Sequence, residues 1–254
     1  MDNVCPITGM PMEPVFSNRI LNRHTITYYY SKVSGLLKTE KPYWLDEAYS
    51  SAIASTDSGL VSRNLRNVRM LQFVLGLLRL GRGTFVDIAG GYGLLARLLR
   101  DRGYDCYTFD KYCTNLFAQG FEPAEGLRAD CLFAFEVLEH VEDPLAFLSS
   151  EMDRYQCKNI VFSTLTFSGT VPAPDWWYYA FDTGQHITFY QSRTLELIAK
   201  KLGVHYYMIN PGMHLFTQQG LPVFKRVLLT NKYARKLLCI AGGMIASAGE
   251  SRGC

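Results

Sequence analysis

One stretch constrains the chain more than any other: VDIAGGYGLLARLLRDRGYDCYTFD, Val86–Asp110. It reads as a buried strand, a glycine loop, a helix and a second strand. A glycine loop between strand and helix lets a ligand approach the backbone and the helix N-terminus. Gly91-Tyr92-Gly93-Leu94-Leu95-Ala96 fits G-x-G-x-x-[GA], and an acid follows at Asp110. On pattern alone the loop holds a nicotinamide dinucleotide, another nucleotide-like cofactor, or nothing beyond a tight turn.

The surrounding sequence continues the alternation. Arg63–Leu80 carries Leu65, Val68, Leu71, Val74, Leu75 and Leu78 at helical spacing, and Gly81 and Gly83 end it. Strands are expected at 84–89, 105–109, 131–135, 159–165, 204–209 and 213–217, with helices at 94–102, 145–155 and 194–202. Asp143-Pro144 supplies a cap and first-turn proline for the second helix, and Ser192 caps the third. The last two strands form an antiparallel edge hairpin. This alternation argues for an α/β domain with a mostly parallel sheet covered on both faces. Residues 1–45 read as irregular, 46–55 as a short helix and 223–248 as a helix interrupted by Gly242-Gly243. The expected organisation is an N-terminal annex over 1–59, the α/β domain over 60–220 and a C-terminal helix and tail over 221–254.

Charge and composition narrow the partners. A net charge of +3 without a dense Lys/Arg block argues against nucleic acid. No run approaches the ~18 apolar residues of a membrane span. The seven cysteines form no C-x-x-C pair, and no secretory leader is read at the N-terminus, so a cytoplasmic protein is expected.

Asp87 discriminates between cofactors. It lies against the glycine loop, where a pyrophosphate would meet a like charge. S-adenosylmethionine carries an ammonium and a sulfonium instead. Asp110 can accept both ribose hydroxyls of either cofactor, with Lys111 and Tyr112 flanking the adenine.

Three motifs in order then carry a resemblance. Asp87-x-Ala89-x-Gly91-x-Gly93 resembles the first motif, D-x-G-x-G-x-G, of class I S-adenosylmethionine-dependent methyltransferases, departing from it at Ala89. Asp110 matches their acidic second motif. FAFEVLEHVEDP, Phe133–Pro144, and DWWYYAFDTGQHITFYQSRTLELIAKKLG, Asp175–Gly203, are similar to segments of the methyltransferase-23 family. The resemblance covers roughly residues 42–217. It implies a Rossmann-like, seven-stranded sheet, S-adenosylmethionine as cofactor, and a cofactor site of Asp87, Ala89, Gly90, Gly91, Gly93, Asp110, Lys111, Phe135 and Glu136. Tyr49 and Arg63 are its candidates for the methionine carboxylate. It also implies a small-molecule acceptor, a sugar or nucleotide sugar. A cofactor-binding interaction module without activity is the alternative.

In the annex, Cys5-x-x-Thr8-Gly9 and Ser31-x-x-Ser34-Gly35 share a skeleton. Four cysteines there would make a zinc ribbon. With one thiol and three hydroxyls the expectation is a ribbon-like annex that has lost its zinc, and no metal site is expected in the chain. Chance similarity of two short loops is the alternative.

Methyl transfer to oxygen or carbon benefits from a base. His186, His140 and Glu139 are the candidates, with Asp182, or no side-chain base at all, behind them. Glu136, Glu139, Glu142 and Asp143 surround His140 in sequence and are expected to raise its pKa toward the imidazolium. His186, with Asp182 as one carboxylate neighbour and aromatics at Phe181, Phe189 and Tyr190, is the favoured base. Trp176, Trp177, Tyr178 and Tyr179 either wall a substrate pocket or pack a core.

Overall fold

The computed structural model describes residues 3–49 and 59–231. The end of the expected 46–55 helix, the 223–248 helix beyond Asn231, and Cys239 and Cys254 lie outside the described residues. In chain order the strands are β1 (Glu13–Ile20), β2 (His24–Tyr30), β3 (Leu37–Thr39), β4 (Thr84–Ile88), β5 (Asp105–Phe109), β6 (Cys131–Ala134), β7 (Ile160–Ser163), β8 (Thr166–Phe167), β9 (Thr188–Gln191), β10 (His205–Asn210) and β11 (Met213–Thr217). The helices are α1 (Leu45–Ala48), α2 (Leu60–Leu78), α3 (Leu94–Arg100), α4 (Pro144–Arg154), α5 (Ser192–Leu202) and α6 (Val223–Thr230). They fall into two compact units, one of 3–49 with 134–218 and one of 59–133 with 219–231.

In the unit built around 59–133, β4 lies between β5 and β6 and is parallel to both. Four of the five β4 residues are buried, which is why the strand reads as an apolar run with a single acid, Asp87. The apolar stripe of α2 buries Val68, Leu71, Val74, Leu75 and Leu78 as its spacing requires. Its stop is not a glycine: Arg79 takes the left-handed conformation, φ 61°. Between β5 and β6 the chain turns at Gly120 (φ 83°) and Gly126 (φ 78°) and adds no strand.

The other unit holds two strand systems. In one, β11 pairs antiparallel with β7 and with β10, so the expected edge hairpin is present. Six strands of the α/β pattern are therefore present among the described residues, three in each unit, where seven were expected. Asp143 caps α4 as its sequence demands, accepting from the Ala146 amide at 3.0 Å. The N-cap of α5 is Gln191 rather than Ser192, with the Thr194 hydroxyl accepting from the Gln191 amide at 3.2 Å.

The second system corrects the reading of 1–45 as irregular. Here β1, β2, β3, β9 and β8 form one five-stranded sheet. The β1–β2 turn places both Leu21 (φ 50°) and Asn22 (φ 53°) in the left-handed region, as a tight hairpin of right-twisted strands requires. Leu37 of β3 then pairs with Phe189 of β9, so the N-terminal strands share a sheet and an aromatic core with residues far along the chain. Tyr28, Trp44, Tyr178, Tyr179 and Phe189 fill that core, and Trp44 Nε1 donates to the Gly184 carbonyl at 2.8 Å. Of the aromatic run, Tyr178 and Tyr179 are thus core residues, whereas Trp177 is 74% exposed.

The two matched N-terminal turns meet. Gly9 N donates to Cys5 O and Gly35 N to Ser31 O, each glycine being left-handed, and Cys5 Sγ lies 3.2 Å from Ser34 Oγ. Burial raises the Cys5 thiol pKa, but hydrogen bonds from Ser34, Thr8 and the Ile7 and Thr8 backbone outweigh it and leave the pKa below its ordinary value.

Candidate active site

The glycine loop leaves the carboxyl end of β4. Ala89, the first residue after the strand, has φ 55°, a conformation that costs an alanine about 1–2 kcal/mol. That conformation is the physical reason a glycine suits this position. A Cβ at Gly90 would collide with Thr108 Oγ1 and Asp87 Oδ2, and one at Gly93 with Asn115 Oδ1. The loop is pressed that closely onto β4 and β5. A Cβ at Gly91 would meet nothing within 4 Å, so the loop's other face is open. Gly93 caps α3 at φ 83°.

Asp110 holds this loop. Its Oδ2 accepts from Gly91 N at 2.9 Å, and its Oδ1 accepts from the Tyr112 and Cys113 amides at 2.7 and 2.8 Å. Asp87 is 2% exposed. Burial, and then the Asp110 charge, push its pKa up to about 8. A neutral Asp87 does not repel a pyrophosphate as sequence reasoning supposed. A cation placed beside it would favour the ionised carboxylate. A cofactor bearing an ammonium and a sulfonium and no phosphate fits this arrangement, with the glycine cradle open above Gly91. Lys111 and Tyr112 are both exposed, with Lys111 Nζ 5.2 Å from the Tyr112 ring centre. Arg63 lies in α2, partly buried.

A second polar cluster sits in the other unit, where the 3₁₀ turn Leu138–His140 follows β6. Glu136, like Ala89, takes a left-handed conformation just past a strand end, φ 55°. The Ser163 hydroxyl accepts from Glu136 N at 2.7 Å and donates to Glu136 Oε1 at 2.6 Å. Glu139 is wholly buried, and Tyr178 OH donates to its Oε1 at 2.7 Å. Burial, followed by the Glu136 charge, raises the Glu139 pKa to about 8. The His140 and His186 rings meet edge to face, centres 4.9 Å apart, and the Tyr49 ring lies 6.1 Å from that of His140. Tyr49 thus accompanies the histidines, and Phe135 is partly buried beside Glu136 in sequence.

The expected imidazolium at His140 is overturned. Burial, and next the neighbouring His186, lower its pKa to about 3, against the opposing pull of the Gln185 carbonyl. The nearby carboxylates in sequence do not prevail over the desolvation of the ring. Burial also lowers the His186 pKa, opposed by its hydrogen bond to the Tyr178 carbonyl and by the Glu136 charge. Asp182 is exposed. His214 is buried between the Thr164 carbonyl and Tyr206 OH, a structural role, while His24 pairs with Glu47 at 3.0 Å. Sequence reasoning missed Ser163, and it weighed Tyr178 only as one of four aromatics that wall a pocket or pack a core, not for its hydroxyl. Tyr178 sat in a run of aromatics that reads equally as core, and Ser163 in a strand.

The methyltransferase-23 model, described as a methyltransferase domain, matches residues 62–207, more than half of the chain. No curated protein matches. Among solved structures, a methyltransferase of calicheamicin biosynthesis with S-adenosylhomocysteine bound is 14% identical, with TM-score 0.41 over 55% of this chain and 50% of its own. The chain therefore spans half the length of that protein. A Synechocystis magnesium protoporphyrin IX methyltransferase is 14% identical, TM-score 0.40, over 68% and 90% of the two chains. An S-adenosylmethionine-dependent methyltransferase from Thermotoga maritima, a possible histamine N-methyltransferase, is 13% identical, TM-score 0.46, over 63% and 93%.

Proposed function

The chain belongs to the methyltransferase-23 family and carries its S-adenosylmethionine-dependent methyltransferase domain, and from that premise we propose that its acceptor is a small molecule methylated on a hydroxyl, a sugar or glycan-linked intermediate. The catalytic residues of this reading are Glu139, His140 and His186. In this reading Asp87, Ala89, Gly90, Gly91, Gly93, Asp110, Lys111 and Arg63, all in one unit, hold the cofactor.

One observation carries the reading. A carboxyl group, two uncharged imidazoles and the Tyr178 hydroxyl converge in one cluster, with Glu139 and Tyr178 buried and the two histidines partly exposed. Uncharged imidazoles and a protonated carboxyl suit a neutral hydroxyl, which they can hydrogen-bond without a change of charge. S-adenosylmethionine supplies, when bound, a methyl carbon already activated by its sulfonium. The chain must then align the acceptor oxygen and take its proton, effects worth about 100–10,000-fold for the proton transfer alone. The five described cysteines are free thiols, and no helix among the described residues is long and apolar enough to cross a membrane. The thiols support a cytoplasmic setting.

The test is methyl transfer from labelled S-adenosylmethionine to a panel of neutral sugars and nucleotide sugars. With an acceptor in hand, His186→Ala should lower kcat by ~100-fold or more and leave cofactor affinity within about twofold. Near-normal turnover in that variant refutes the assignment of the cluster. Cofactor binding without transfer to any acceptor favours the interaction module.

A further inference from the structure

We propose that Glu139, His140 and His186 bind a divalent transition-metal ion, each through one ligand atom. The inference deepens the reading above and rests on the same cluster. One ligand atom from each residue lies within 4.8 Å of the other two. Metal bonds of about 2.0–2.2 Å set ligand atoms roughly 3–4 Å apart, so small side-chain rotations close the site.

The hydrogen bonds decide which nitrogens keep a lone pair for an ion. His140 Nδ1 lies 3.0 Å from the Gln185 carbonyl oxygen, and His186 Nδ1 lies 2.7 Å from that of Tyr178. A carbonyl only accepts, so both Nδ1 atoms carry hydrogen and both Nε2 atoms keep their lone pairs. Backbone carbonyls orient metal-ligating histidines in this way. Glu139 supplies the independent sign of a missing partner. Its Oε1 accepts from Tyr178 OH, but its buried Oε2 has no hydrogen-bond partner among the described residues. A carboxyl oxygen buried without a partner is costly, and a cation that takes it as a ligand in exchange for the proton removes that cost. Both histidines retain some solvent exposure, whereas Glu139 has none.

Two imidazoles and one carboxylate suit zinc, iron or cobalt better than magnesium or calcium. Three protein ligands leave positions open for an acceptor oxygen, and a bound hydroxyl is acidified by the ion. This departs from the sequence expectation of a chain without metal.

The full chain, stripped with EDTA and desalted, is titrated with CoCl2 and followed by calorimetry and absorption. We expect one saturable equivalent per chain, with visible ligand-field bands and no thiolate-to-cobalt charge-transfer band. His140→Gln and His186→Gln should each weaken binding at least about tenfold, and Cys5→Ser should leave it unchanged. Three results overturn the proposal: no saturable binding up to ~1 mM CoCl2, a thiolate band, or full binding retained in both histidine variants. The wild-type spectrum reports the ligand type unaided, so a variant that fails to fold does not remove the test. Methyl transfer that persists in EDTA without cobalt binding sinks the metal alone. Cobalt binding without transfer to any hydroxyl sinks the acceptor reading alone.

Discussion

Cofactor binding should expel a proton from Asp87. The carboxyl is 2% exposed, and burial with the Asp110 charge holds its pKa near 8 instead of 3.8. At pH 7 about nine-tenths of ligand-free molecules then carry the proton. An ammonium or sulfonium alongside favours the anion, so the proton leaves as the cofactor binds. Release should be about 0.9 protons per site at pH 7, about 0.5 at pH 8 and about 0.1 at pH 9. Affinity should accordingly rise by nearly tenfold between pH 6 and 7 and level off above 8. Calorimetry in buffers of different ionisation enthalpy measures this directly. Asp87→Asn should abolish the difference and flatten the pH profile. Release near zero in the wild type at pH 7, or release unchanged in Asp87→Asn, would refute the reasoning. The same shift affects stability. Because the folded pKa lies above the unfolded one, unfolding gives up this proton between about pH 4 and 8. The group's contribution is full below that window and falls by about 1.4 kcal/mol per unit as pH climbs through it. Ligand-free protein should therefore melt higher at pH 5 than at pH 8, and less so in Asp87→Asn.

Ala89→Gly should relieve the left-handed alanine. The strain of about 1–2 kcal/mol is partly offset by glycine's greater unfolded-state entropy, leaving a gain of about 0.5–1 kcal/mol and a melting temperature a degree or two higher. A lower melting temperature contradicts that account of the loop. Thr8→Cys, Ser31→Cys and Ser34→Cys together should rebuild a four-thiolate site around Cys5, whose sulfur already touches Ser34. With CoCl2 the triple variant should show the thiolate charge-transfer band that the parent lacks. Its absence in a folded triple variant argues that the two turns match only by chance.

Local patterns determined much of the α/β part. The helix stripe of Val68–Leu78, the Asp143-Pro144 cap, the glycine loop after β4 and the β10–β11 hairpin each write their signal within a few residues. Asp87, Gly90, Gly93 and Asp110 were legible for the same reason, since a tight strand-to-helix turn admits few residue types. The five-stranded sheet was not legible. Its hairpin turns on Leu21-Asn22 rather than an asparagine-glycine pair, and β3 finds its partner in β9, distant in sequence. The charge states of the site were decided by tertiary structure alone. Counting carboxylates along the chain made His140 cationic and Asp87 anionic, yet both are uncharged at neutral pH, because desolvation depends on what packs around a group in space. The joining of Glu139 to Tyr178 and of His140 to His186 likewise required the fold, which brings the turn after β6 against the segment before β9.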